Sequence, residues 1–179
     1  SGSGARTVSV PFTVVENYDL AVAGIDVTQG IQSDGNLPGR PPGSSLPFLA
    51  AYAGLPLAAR KSTVARVFAV VAAPAKTTVK GATFLLHGFA GGKPLPGSPL
   101  VTTAEVPAAS PNVGSDLVNA GGRRATAAAR FVLPPGWTAP GKVTLRATVL
   151  PPTVLFGGST ECTVKACGAN NQYALAGVP

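Results

Sequence analysis

The sequence predicts an all-β domain, a sandwich of about seven to nine strands, and three observations carry that expectation. Short apolar segments alternate with period two, as they must when successive side chains point to opposite faces of a sheet. Turn-forming residues, Gly 22 and Pro 18 in 179 positions, fall between those segments rather than in repeats. No stretch shows a sustained helical period, and a series of many short strands without helices reads as two packed sheets.

The elements follow in chain order. Thr7 to Val15 reads as a strand, with Pro11 confining it to an edge or a bulge. Glu16 to Asp19 follows like a linker, so residues 1–16 are expected to be a linker or the last strand of a preceding domain, and 17–179 the sandwich. The first residues, Ser1-Gly2-Ser3-Gly4, read as linker or cloning scar. In Leu20 to Thr28, the expected alternation sets Leu20, Val22 and Gly24 against Ala21, Ala23 and Ile25. Ser33 to Ser45 is rich in Gly, Pro, Asn and Asp and reads as a long loop.

Thr63 to Ala72 is the clearest strand. Ala65, Val67, Ala69 and Val71 form an apolar face, and Val64, Arg66, Phe68 and Val70 form the other, which carries the one charge. Thr78 to Phe89 and Leu100 to Val106 are the next two strands. Ala125 to Leu133 is ambiguous, because an alanine run favours helix. The alternation of Ala127, Ala129, Phe131 and Leu133 into Pro134-Pro135 decides for a strand. Lys142 to Leu150 follows the Pro140-Gly141 turn, with Val143, Leu145, Ala147 and Val149 on one face and Thr144, Arg146 and Thr148 on the other.

Composition narrows function. Hydrophobic residues make up 45% and charged residues only 12%, which is the wrong balance for a disordered chain. The net charge is +7, but the basic residues are scattered, the densest points being Arg60-Lys61 and Arg123-Arg124. Without aromatics interleaved, they do not build a stacking platform for nucleic acid. A basic surface does attract acidic polymers such as surface glycans. No apolar run reaches the length of a membrane span.

Cys162 and Cys167 are the only cysteines. In an extended strand their Cα atoms would lie about 17 Å apart. A disulfide requires less than about 7 Å, so a bond between them needs a tight turn through Thr163 to Ala166. That is the state expected here, in an oxidising, extracellular setting. Free thiols and a metal site are the alternatives, the metal lacking further ligands nearby.

Catalytic constellations are thin. His87-Gly88-Phe89-Ala90-Gly91-Gly92 is similar to the oxyanion loop of α/β-hydrolases, but no G-x-S-x-G elbow accompanies it and His87 is the only histidine. It reads as a strand ending in a glycine turn. The acids, Glu16, Asp19, Asp26, Asp34, Glu105, Asp116 and Glu161, form no pair at a recognisable spacing. Neither a catalytic residue, a cofactor nor a metal is expected. Trp137 is either a sugar-stacking platform or a cap on the end of the core, the latter being commoner for a lone Trp.

Five segments together resemble a known kind of module. They are VAGIDVTQGIQ (Val22 to Gln32), LPLAARKSTVARVFAVV (Leu55 to Val71), LPGSPL (Leu95 to Leu100), FVLPPGWTAPGKVTLRATV (Phe131 to Val149) and ECTVKACGANN (Glu161 to Asn171). They look like the immunoglobulin-like, CARDB-like adhesion modules of large secreted bacterial proteins, some of which carry a zinc-peptidase-like segment with its own HExxH. No HExxH occurs here. The resemblance implies a non-catalytic structural or adhesive module, extracellular or on the cell surface, beside neighbouring domains of the same polypeptide. The ligand would be a protein or glycan surface. A carbohydrate-binding module using loops or an exposed aromatic is the second expectation. Trp137, Arg123 and Arg124 are the candidate ligand-binding residues, and the segments 33–45 and 107–124 are the candidate binding loops.

Overall fold

The computed structural model describes residues 19–30, 48–52, 54, 56–72, 78–107, 128–152 and 172–179. They form nine strands and one short 3-10 helix. In chain order the strands are β1 (Asp19–Thr28), β2 (Phe48–Ala51), β3 (Val64–Ala72), β4 (Val79–Ala90), β5 (Lys93–Pro94), β6 (Leu100–Val106), β7 (Ala128–Val132), β8 (Val143–Leu150) and β9 (Gln172–Val178). The expected strand at Thr7 to Val15, the long loop 33–45, nearly all of 107–124 and both cysteines lie outside the described residues.

One sheet has the order β1-β3-β7 and is antiparallel. The other has six strands, ordered β2-β9-β8-β4, with β5 and β6 both against the remaining edge of β4. All of its pairs are antiparallel except β2 with β9. This is the immunoglobulin-like order: β1, β3 and β7 take the A, B and E places, and β4, β8 and β9 take C, F and G. β6 then sits at the C′ place. The fold is an immunoglobulin-like β-sandwich, as the alternating segments predict.

The core is what those alternations bury. Ala65, Val67, Ala69 and Val71 of β3 and Ala129 and Phe131 of β7 face Ala82, Phe84 and Leu86 of β4 and Val143, Leu145, Ala147 and Val149 of β8. Phe84, Leu86 and Leu145 have no exposed surface. Full burial of one such side chain is worth about 1.5–3 kcal/mol. The two layers are also stitched by backbone, since the Val71 amide donates to the carbonyl of Pro107 (2.9 Å), just past β6.

β1 departs from the expected alternation. Val22 pairs with Ala69 but Gly24 pairs with Phe68, so one extra residue is bulged out at Ala23. The bulge inverts the parity of the strand. Leu20 and Val22 before it and Ile25 and Val27 after it all enter the core. The single face predicted for Leu20, Val22 and Gly24, with Ile25 opposite, is therefore corrected.

One end of the sandwich is closed by side-chain hydrogen bonds. The Gln29 amide donates to the Ala58 carbonyl (2.7 Å) and to Thr63 Oγ1 (2.9 Å), and its oxygen accepts from the Ala58 amide (2.7 Å). Thr63, the one buried polar residue among those described, donates in turn to the Lys61 carbonyl (2.8 Å). A buried hydroxyl satisfied in both roles avoids the desolvation cost of an orphan. The clamp holds the Arg60-Lys61 turn, where the Arg60 amide donates to the Thr138 carbonyl.

Candidate functional site

Trp137 is the aromatic that the sequence singles out. It lies in the 3-10 helix Pro135–Thr138 between β7 and β8 and is only 3% exposed. Its indole N–H donates to the Pro96 carbonyl (2.9 Å). Its ring lies on Gly88 of β4, where a Cβ would stand 2.7 Å from two ring carbons. The residue at 88 must therefore lack a side chain. The Gly88 carbonyl accepts from the Leu95 amide, and its amide donates to Ser98 Oγ. Trp137 thus pins the 95–99 link to β4 and to the β7–β8 connection. It is a core cap, and it presents no open face for a sugar.

The histidine segment resolves in the same way. Gly91 and Gly92, with φ of 54° and 78°, make the two-residue turn between β4 and β5. Positive φ at both central residues is the type I′ geometry that matches the twist of paired strands. The HGFAGG motif is a strand running into a hairpin turn, and it builds no oxyanion loop.

What remains is a face rather than a cleft. β4 and β8 run antiparallel near the middle of the six-stranded sheet, His87 opposite Arg146, Leu85 opposite Thr148 and Phe89 opposite Thr144. Because Ala82, Phe84, Leu86 and Gly88 point inward, Leu85, His87 and Phe89 point outward. On β8, Thr144, Arg146 and Thr148 do the same. The Arg146 guanidinium lies 5.3 Å from the Phe89 ring centroid. The His87 and Phe89 rings are 6.3 Å apart and nearly parallel, at 15°. Arg146 is flanked across the next pair by Ala174, and Thr148 by Gln172. Toward the other edge, Val101 of β6 sits opposite Leu85 and is 62% exposed.

Electrostatics follow from this packing. Partial burial holds the His87 imidazole below its ordinary pKa, and the positive charge of Arg146 adds to the effect. The histidine is therefore neutral at pH 7, leaving Arg146 as the cation of the row.

The opposite sheet carries a counterpart. Arg66 of β3 lies 5.8 Å from the Phe68 ring centroid. Its cross-strand neighbours are Asp26 on β1 and Arg130 on β7. Asp26 forms an ion pair with Arg66, whose Nε donates to the same carboxylate oxygen at 2.8 Å. Each sheet thus sets an arginine beside a phenylalanine, Phe68 buried and Phe89 half-buried, but only the three-stranded sheet supplies its own carboxylate among the described residues.

Of the expected site residues, Arg123, Arg124, Cys162 and Cys167 lie outside the described residues, and Trp137 is in the core. Of this face, the sequence placed only Arg146 on the outward side of an alternating strand; His87 and Phe89 were read as a strand ending in a glycine turn. Among the described residues, no three His, Cys, Asp or Glu side chains gather as a metal site would require. Nor, among them, is any helix long and apolar enough to cross a membrane. Compared with known proteins, the sequence matches no family model and no curated protein.

Proposed function

We propose that the chain is a non-catalytic adhesive and scaffolding module of a secreted or cell-surface protein, meeting its partner through the outer face of its six-stranded sheet. The observation that carries this reading is the outward row of His87, Phe89 and Arg146. An aromatic and an arginine on a flat, rigid surface are the residue types that anchor protein interfaces. The edges of β4 and β8 are already engaged by flanking strands, so recognition here runs through side chains. A sandwich suits the role, because its packed core fixes the spacing of those side chains.

A carbohydrate-binding module is the second reading, and its candidate aromatic moves from the buried Trp137 to the half-buried Phe89. Both readings share one test. Binding of the labelled protein to intact bacterial and host cells should be saturable, and Phe89→Ala/Arg146→Gln should weaken it at least about tenfold, the loss expected for a charge-assisted contact. Arg130→Gln/Val132→Thr, on the other sheet, should leave it unchanged. Equal losses in both double variants, or no saturable binding at all, would remove the proposed face.

A further inference from the structure

We infer that Arg146 is a receptor for a carboxylate of an acidic polysaccharide, a glycan bearing uronic acid groups. The inference rests on the sheet-face reading above and names its ligand class. The two sheets differ in how their arginines are partnered. On the three-stranded sheet the arginine-over-phenylalanine pair is completed by Asp26, directly across the strand. On the six-stranded sheet the same pair is flanked by His87 on one side and Ala174 on the other. The carboxylate that completes the first motif has no counterpart beside the second among the described residues.

A carboxylate is the group that the exposed Arg146 suits. A guanidinium offers a planar fork of N–H donors that fits the two oxygens, and the Phe89 ring lies beside it, its centroid 5.3 Å from the guanidinium carbon. The protein field assists approach, with a net charge of +7. Lys142 stands four residues from Arg146 toward the Pro140-Gly141 turn, about 13 Å along the chain, and extends the positive line.

The surroundings favour a sugar over an acidic peptide. A peptide docking on a sheet normally gains affinity from backbone pairing at an edge. Here β4 lies between β6 and β8, and β8 lies between β4 and β9, so that mode is closed. What the face presents instead is the hydroxyls of Thr144 and Thr148, the amide of Gln172, a neutral imidazole and the Phe89 ring. Those groups match the hydroxyls and the C–H faces of pyranose rings.

The test is calorimetric titration with oligogalacturonate of about ten residues. Saturable binding is expected, abolished when the same oligomer is methyl-esterified, which removes the charge and keeps the sugar. Arg146→Gln should weaken binding at least about tenfold, the worth of one charge-assisted pair. Arg130→Gln removes the same charge from the exposed surface of the other sheet and should change it less than about twofold. Unchanged thermal midpoints will show that both variants are folded. Equal losses in Arg146→Gln and Arg130→Gln would reduce the effect to diffuse charge and overturn the site. Poly-glutamate binding as tightly as the uronide would overturn the glycan. If the uronide fails to bind while cell binding still depends on Phe89 and Arg146, the ligand class falls and the sheet face stands. If both fail, both readings fall.

Discussion

At the scale of single residues, Gly88 and Trp137 show how one contact both builds the fold and misleads a reading of the sequence. A lone tryptophan after a proline pair carries no mark saying whether its ring lies in or out. The deciding partner, Gly88, is 49 positions away, and only the folding of β4 against the 3-10 helix brings them together. An alanine at 88 would place its Cβ 2.7 Å from the indole ring. Neither group yields easily, since the indole is tied to the Pro96 carbonyl and position 88 is held by hydrogen bonds on both sides. Gly88→Ala is therefore expected to lower stability by about 1–3 kcal/mol, the usual cost of overpacking a filled site. Chemical denaturation checks this, and a loss below about 0.5 kcal/mol would mean that the ring moves freely. Trp137 fluorescence should shift to the red in the same variant as water reaches the displaced indole.

At the scale of the strand, legibility tracks how evenly an element is buried. β7 and β8 each have one face in the core and one outside, and their period-two patterns transmit that directly; β3 does so except at Phe68, which is buried between Val67 and Ala69. β9 does not: Tyr173, Ala174 and Leu175 are buried in succession, and its pairing with β8 shifts register between Val143 and Leu145. With neighbours on both edges and no alternation to read, the sequence offers little sign of a strand there. The site was illegible for a related reason. His87 and Arg146 are 59 positions apart, and their adjacency is a matter of register rather than of local pattern. β1 is the intermediate case, since its pattern is regular on either side of one extra residue. Removing Ala23 would turn Leu20, Val22, Ile25 and Val27 into a strictly alternating series facing the core. The deletion is expected to be tolerated, with a change of less than about 1 kcal/mol, because the bulge and its extra residue vanish together. Deleting Leu85 from the regular middle of β4 should instead unfold the protein. It would put Ala82 and Phe84 out of phase with Leu86 and Gly88, across a sheet buried on its inner face. Circular dichroism and thermal melting of the two deletions distinguish these outcomes, and a ΔAla23 protein as damaged as ΔLeu85 would contradict the assignment of the bulge.

At the scale of the whole molecule, two titrating groups on the two strands that flank β8 bound the pH range over which the sandwich is most stable. Tyr173 of β9 is fully buried, and burial pushes its hydroxyl up to about 12 from an ordinary 10. Below pH 10 the hydroxyl is neutral in both states and its contribution is complete. Between 10 and about 12 the unfolded chain gives up this proton while the folded chain keeps it, so stability falls as pH rises. Two pH units at about 1.4 kcal/mol each set the loss on the order of 3 kcal/mol. His87 acts at the other end with the opposite sign. Its folded pKa is lowered, so its contribution is whole above 6.5 and is lost as pH falls, when the unfolded chain takes a proton that the folded chain resists. Removing the Arg146 charge relieves part of that resistance. The stability plateau is therefore expected between about pH 6.5 and 10, its alkaline edge moving in Tyr173→Phe and its acid edge in Arg146→Gln. Thermal midpoints measured from pH 5 to 12 test both edges at once. The alkaline edge fails if Tyr173→Phe declines above pH 10 as steeply as the parent, and the acid edge fails if Arg146→Gln leaves the decline below 6.5 unchanged.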